Sequence, residues 1–242
     1  MIFSAFLYRR LAQFVTCEIL LPGGKVSLSS KHHVNSFRDV FCHPFYWQLY
    51  SMLDHEPVSI VDCGGHLGHF CILAEQCVKT KFERSLAHYT VVEPNPVLIK
   101  MLKRNLEIAG IDKKCSIFQG MLGEKTRGEG ELWTHDSNLL SSSCNRKIGH
   151  QVRRVPWVSL EEIAPKSSID VLKIDIEGAE YELVPTIQAL LKRTRILLIE
   201  LHANDLSKTK QIKMEFANAG LKQFGDEIMH GEHRLVAYKQ RS

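Results

Sequence analysis

No run of apolar residues in this 242-residue chain approaches the roughly 20 needed to span a bilayer. Residues 1–20 mix Phe and Leu with Arg9, Arg10 and Glu18, without a sustained apolar stretch or a small-residue cleavage site, so the start reads as a mature cytoplasmic one. Seven cysteines stand at 17, 42, 63, 71, 77, 115 and 144 with no Cys-x-x-Cys pair, which removes the usual spacing for a zinc or dithiol centre. Reduced, mostly buried thiols are expected, which again fits the cytoplasm. Lysine and arginine form no block and the net charge is a mild +4, so nothing asks for a nucleic-acid partner. Repeats and low-complexity linkers are missing too. With 44% hydrophobic and 24% charged residues, the composition is that of an ordinary globular protein with one large core. The expected organisation is an extension over residues 1–56 packed on a main domain over residues 57–242, with no membrane contact and the oligomeric state left open.

The dinucleotide fingerprint Gly-x-Gly-x-x-Gly, whose glycines serve a diphosphate at a helix N-terminus, is also absent. In its place Asp62-Cys-Gly-Gly-His-Leu-Gly68 follows a short apolar run, with the spacing Asp-x-Gly-x-x-x-Gly. Such a run reads as a buried strand closed by a carboxylate. Gly64, Gly65 and Gly68 then let the backbone turn sharply without side chains in the way. The device suits close approach to a nucleotide-like ligand, and the spacing turns that ligand away from NAD.

From residue 58 onward strand and helix patterns alternate, the sign of a mostly parallel sheet covered on both faces. Strands are expected to residue 62, over residues 89–92, 115–119, 171–174 and 195–201, with helices over 67–78, 97–109 and 206–219. Residues 221–224 and 235–238 read as an antiparallel pair around a polar loop. Before this series come a first helix, a hairpin signal around Pro22-Gly23-Gly24, and a helical stretch over 37–53 interrupted at Pro44. The alternation lapses over residues 120–168, where a strand near 128–133, a serine-rich stretch over 137–149 and a short helix capped by Ser159 are expected. A loop this long inside a compact domain suits acceptor contact.

Ligands of open parallel sheets sit beyond the carboxyl ends of the strands, and Asp62, Glu93, Gln119, Asp175 and Glu200 fall at such ends. Glu93 can accept hydrogen bonds from both hydroxyls of a ribose, and residues 119–121, from Gln119, are placed to touch an adenine edge. Ribose and adenine without a diphosphate describe S-adenosylmethionine, whose methyl group needs only an acceptor held in line and relieved of its proton. A second cluster comprises Asp175, Glu177, Glu180, Glu200 and His202, with Glu200 and His202 on one face by period two. Asp175, Glu200 and His202 are the candidate catalytic residues; the set suits base work or a divalent cation, without a spacing that assigns metal ligands. Lys173 reads as a residue within its strand, and Glu177 and Glu180 as acids favouring a helix start.

Five segments, Asp62-Cys-Gly-Gly-His-Leu-Gly68, Val92-Glu-Pro-Asn-Pro96, Leu106-Glu-Ile-Ala-Gly110, Val158-Ser-Leu-Glu-Glu162 and above all Leu172-Lys-Ile-Asp-Ile-Glu-Gly-Ala-Glu180, resemble the FkbM family of S-adenosylmethionine-dependent methyltransferases. The resemblance implies a class I, Rossmann-like seven-stranded fold of order 3-2-1-4-5-7-6 with helices on both faces. It also implies cofactor contacts at Asp62, Gly64, Gly68, Glu93 and Asn95, and methylation of hydroxyl oxygens on small metabolites or sugars. Gly65-His66 departs from the Ala-Asn common in the family's turn. Metal-using sugar O-methyltransferases carry acids at comparable strand ends, which favours a cation; the histidine at 202 does not. The rival readings are methylation of a nitrogen in a peptide or RNA, and a non-catalytic binding module. Against RNA, the Asn/Asp-Pro-Pro-Tyr signature is replaced here by Asp175-Ile-Glu-Gly.

Overall fold

The computed structural model describes residues 17–21, 24–28, 31–134, 141–142, 151–202 and 206–240. The first helix expected before residue 17, the turn residues 22–23 and most of the serine-rich stretch lie outside these.

The chain opens with a hairpin of β1 (Cys17–Leu21) and β2 (Gly24–Leu28), followed by helices α1 (Lys31–Phe41) and α2 (Pro44–Met52). The helical stretch expected over 37–53 is interrupted at Pro44 as expected, and its first helix begins earlier, at Lys31. The break is chemical: Pro44 cannot donate to a preceding turn, and His43 caps the second helix by accepting the Phe45 N–H at its Nδ1, 3.3 Å away.

The main sheet then builds from β3 (Ser59–Cys63), β4 (His88–Glu93), β5 (Cys115–Gln119), β9 (Ile169–Ile174), β10 (Thr194–Leu201), β11 (Leu221–His230) and β12 (His233–Gln240), with β6 (Glu129–Thr134), β7 (Ser141–Ser142) and β8 (Gln151–Pro156) in a separate small sheet. Across the main sheet the order is β11-β12-β10-β9-β3-β4-β5. Every pairing from β10 to β5 is parallel, whereas β12 runs antiparallel to both β10 and β11. Central β3 and β9 are buried along their whole length, as parallel strands covered on two faces must be.

Helices cover both faces: α3 (His69–Phe82), α4 (Pro96–Ile108), α5 (Leu160–Ile163), α6 (Glu180–Leu183), α7 (Gln188–Lys192) and α8 (Leu206–Asn218). Strand alternation assigns side chains to two cores. Ile60, Val171, Ile196 and Leu198 meet β2, α1, α2, α3 and α4, whereas Val61, Leu172, Leu197 and Ile199 meet α5, α6, α7 and α8. By the same parity Asp62, Lys173, Glu200 and His202 belong to the face that α1 and α2 cover.

The expected polar loop near the C-terminal pair is mostly strand. β11 and β12 run on to a two-residue turn at Gly231 and Glu232, with a register shift between Phe224 and Ile228. Polar residues can extend an edge hairpin because one of its faces meets water. Ser159 stands at the N-cap of α5 but makes no side-chain cap bond. Among the described residues, no helix is long and apolar enough to cross a membrane.

Candidate active site

After β3 the backbone turns at Gly64, where φ is +86°, and the N–H groups of Gly64 and Gly65 both donate to the Val92 carbonyl at 2.9 Å. A Cβ on Gly64 would stand 1.7 Å from the Asp175 carbonyl oxygen, so the turn sits where only glycine fits. The next N–H, of His66, donates to Glu93 Oε2 at 2.8 Å, and Asn95 N–H donates to Glu93 Oε1 at 2.8 Å. Each carboxylate oxygen therefore accepts one backbone bond and keeps capacity for another. Burial pushes the Glu93 carboxyl up to about 7 against the pull of those two N–H groups.

Parallel register places Lys173 of β9 beside Asp62 of β3. The Lys173 ammonium lies 3.2 Å from Asp62 Oδ1 and 3.2 Å from Asp175 Oδ2, and donates to the Gly64 carbonyl at 2.8 Å. Burial pushes the Asp62 carboxyl up, opposed by that ammonium. For Asp175 the balance reverses: burial would raise it, but Lys173 and His202 outweigh burial and hold it below the usual carboxylate range.

His202, just past β10, is the centre of the second cluster. Its Nδ1 lies 2.9 Å from Glu180 Oε1, and the Glu180 carboxylate also accepts the N–H groups of Ile176 and Gly178. Its Nε2 faces Glu177 Oε2 at 3.6 Å, Asp175 Oδ1 at 3.7 Å and Glu200 Oε1 at 3.9 Å. Burial alone would lower the imidazole, but Glu180, Asp175 and Glu177 together push it up to about 10. The hairpin end of β11 and β12 brings His233 Nδ1 to 3.1 Å and His230 Nδ1 to 3.6 Å from Glu200 Oε1. Burial, reinforced by Asp175, raises the Glu200 carboxyl to about 7.

These groups surround a cavity of about 410 Å³, within the range of small-ligand sites. Gly64, Gly65 and Glu93 form one wall; Lys173, Asp175, Glu177, Glu200 and His202 form the floor; Asn35, Ser36, Arg38 and Tyr46 come from α1 and α2. Of the residues expected from sequence, Gly64, Glu93, Asp175, Glu200 and His202 meet here. Asp62 is buried beneath the floor as the partner of Lys173, and Gly68 sits behind the turn against Leu106. Asn95 is the N-cap of α4, its side chain accepting the Val97 N–H at 3.0 Å. Gln119 is exposed at the end of β5 and off the cavity, whose wall is made instead by Gly120, Met121 and Leu122.

Glu177 and Glu180 join the cluster expected of them, whereas Lys173, His230 and His233 carry more of the site than their sequence context suggests. One signal was available: Lys173 interrupts an apolar strand, and a buried ammonium needs a carboxylate partner. The hairpin histidines are joined to Glu200 only by the fold.

A glycine turn backed by an acid at the next strand end, on a sheet with one reversed strand between β10 and β11, defines a class I, Rossmann-like methyltransferase fold. The METTL16 MTase domain shares that fold at 13% identity and a TM-score of 0.50, over 84% of this chain and 68% of that one. Residues 62–228 match the family model of the methyltransferase FkbM domain, and the chain belongs to that family. The methyltransferase FkbM of Methylobacillus flagellatus aligns at 15% identity and a TM-score of 0.49, covering 98% of this chain and 58% of that one. TrmK of M. capricolum, in complex with S-adenosylhomocysteine, aligns at 13% identity and a TM-score of 0.47 over 81% of this chain and 67% of that one. No curated protein sequence matches the chain.

Proposed function

We propose that this methyltransferase transfers the methyl group of S-adenosylmethionine to a hydroxyl oxygen of a small metabolite or sugar. The carrying observation is the Glu93 carboxylate, buried at the cavity wall with one backbone bond on each oxygen. A pair of ribose hydroxyls can complete both oxygens, and the side-chain-free turn at Gly64 and Gly65 leaves room for the rest of the nucleoside. When bound, S-adenosylmethionine supplies an electrophilic methyl on a sulfonium centre. Met121 and Leu122 offer apolar contact to the base, while Asp62, Gly68 and Asn95 support the wall from behind.

The acid-rich floor faces the acceptor. Lys173 pairs with Asp175 at 3.2 Å, and His202, held at Nδ1 by Glu180, orients the acceptor at the floor in place of acting as its base. Glu200, at the end of β10 and held by His233, is placed to take the hydroxyl proton. Residues 1–56 contribute the acceptor-side wall through Asn35, Arg38 and Tyr46. The six described cysteines are all free thiols, which suits a cytoplasmic setting.

Titration calorimetry with S-adenosylhomocysteine tests the donor half: saturable binding is expected, and none at millimolar ligand overturns it. Transfer of labelled methyl groups across sugars, hydroxylated metabolites, peptides and RNA tests the acceptor half. Label is expected on oxygen in the first two groups; label only on nitrogen of a peptide or RNA removes the hydroxyl assignment.

A further inference from the structure

The floor of the cavity has a geometry that ion pairing alone does not account for. Nε2 of His202 stands 3.6 Å from Glu177 Oε2 and 3.7 Å from Asp175 Oδ1, too far for hydrogen bonds. Among the described residues this nitrogen makes no hydrogen bond, although the side chain is 93% buried, with 7% exposure. Groups bound to one divalent ion at about 2.1 Å lie about 3.0 to 3.4 Å from one another, and the two distances from Nε2 to the carboxylates exceed that range by only a few tenths of an ångström.

We propose that Asp175, Glu177 and the Nε2 of His202 hold a divalent cation of the kind Mn2+ and Mg2+ represent. The three ligand atoms lie within 4.8 Å of one another. Three features support the assignment. Glu180, 2.9 Å from Nδ1 and itself fixed by the N–H groups of Ile176 and Gly178, aims the imidazole as outer carboxylates aim metal-bound histidines. Glu177 has φ of +55°, a conformation that turns its side chain back to the floor beside Asp175. Carboxylates at 175, 177, 180 and 200 outnumber the fixed cation Lys173 around one imidazole, an excess that a dication offsets.

Glu200, His202 and His233 form an alternative triple. It is less suited, because the Glu200 oxygen is already 3.1 Å from His233 Nδ1 and lies farthest of the three floor acids from Nε2, at 3.9 Å. Oxygen-rich donors with one imidazole and no thiolate favour a hard or borderline ion. Three protein ligands leave positions open for water or an acceptor oxygen, whose hydroxyl the ion would acidify. As an account of catalysis this rests on the methyl-transfer reading; as a binding site it is tested apart from it.

The test titrates the full chain with MnCl2 and follows the electron paramagnetic resonance signal of free Mn2+. One saturable site is expected, weakened about 10- to 100-fold by Glu180→Gln through lost orientation, and abolished by His202→Ala. Calorimetry with S-adenosylhomocysteine on each variant reports whether the cavity is intact; if His202→Ala does not fold, Glu177→Gln replaces it and is expected to weaken Mn2+ at least tenfold. No saturable Mn2+ uptake at millimolar concentration, or uptake unchanged by these substitutions, overturns the site. A chain that binds S-adenosylhomocysteine but not Mn2+ keeps the methyl-transfer reading and loses this one; Mn2+ uptake without S-adenosylhomocysteine binding does the reverse.

Discussion

Glu93 is a carboxylate that the fold holds near neutrality, with its pKa raised to about 7 by burial. Its proposed partners are ribose hydroxyls, which donate to the ionised form, so a proton on Glu93 competes with the ligand. The sign follows: affinity for S-adenosylhomocysteine is expected to be flat above pH 7 and to fall below it, towards about tenfold per pH unit. Calorimetry at pH 8, 7 and 6 measures this. Glu93→Gln is expected to weaken binding about 10- to 100-fold, the worth of a charge-assisted hydrogen-bond pair, and to flatten the pH dependence. Affinity equal to the wild type would remove the ribose role. Glu93, Asp175, Glu200 and His202 were legible because position at a strand end is itself a sequence property. Glu180 was legible as a member of the cluster but not as the partner of His202 Nδ1, and Lys173 and the hairpin histidines were not, since their place depends on which strands are neighbours.

At the scale of elements, the glycines differ sharply in what they support. Gly64 combines φ of +86° with a site where a Cβ would meet the Asp175 carbonyl oxygen at 1.7 Å, and that backbone is itself pinned by Asp175 N–H donating to Cys63 O at 3.0 Å. Gly231, with φ of +64° at the β11–β12 turn, has nothing within 4 Å of an added Cβ. Gly231→Ala is therefore expected to cost about 1 to 2 kcal/mol, the left-handed penalty alone. Gly64→Ala is expected to cost more than about 4 kcal/mol, because neither strand can yield. Urea denaturation compares the two, and equal losses would contradict the wedged turn. The apolar strands and α4, with its Asn95-Pro96 start, were readable from runs, caps and stops; β5 has the limits its pattern implies. The α1–α2 break was readable from Pro44, whereas the β11–β12 hairpin was underestimated because its polar, half-exposed strands carry little apolar signal.

In the whole molecule, the two cores are unequal in origin. Val26, Leu28, Phe45, Leu49, Met52 and Leu53 of the first 56 residues are buried in the core beneath α3 and α4. At about 1.5 to 3 kcal/mol for each fully buried large side chain, these contacts rival the total stability of a typical domain. Lys239 of β12 ties the same region to the sheet, bonding the Met52 carbonyl at 2.9 Å and pairing with Asp54 at 3.0 Å. Residues 57–242 expressed alone are therefore expected to lose cooperative unfolding, measured by near-ultraviolet circular dichroism in urea; a sharp transition like that of the full chain would contradict this. The insertion of β12 between β10 and β11 has a consequence for synthesis. On the ribosome, β10 and β11 emerge before the strand that separates them, so the nascent chain carries two open edges that must not pair with each other. Glu200 waits for His233 over the same interval, so the contact between them at the cavity floor forms only with the last strand of the sheet.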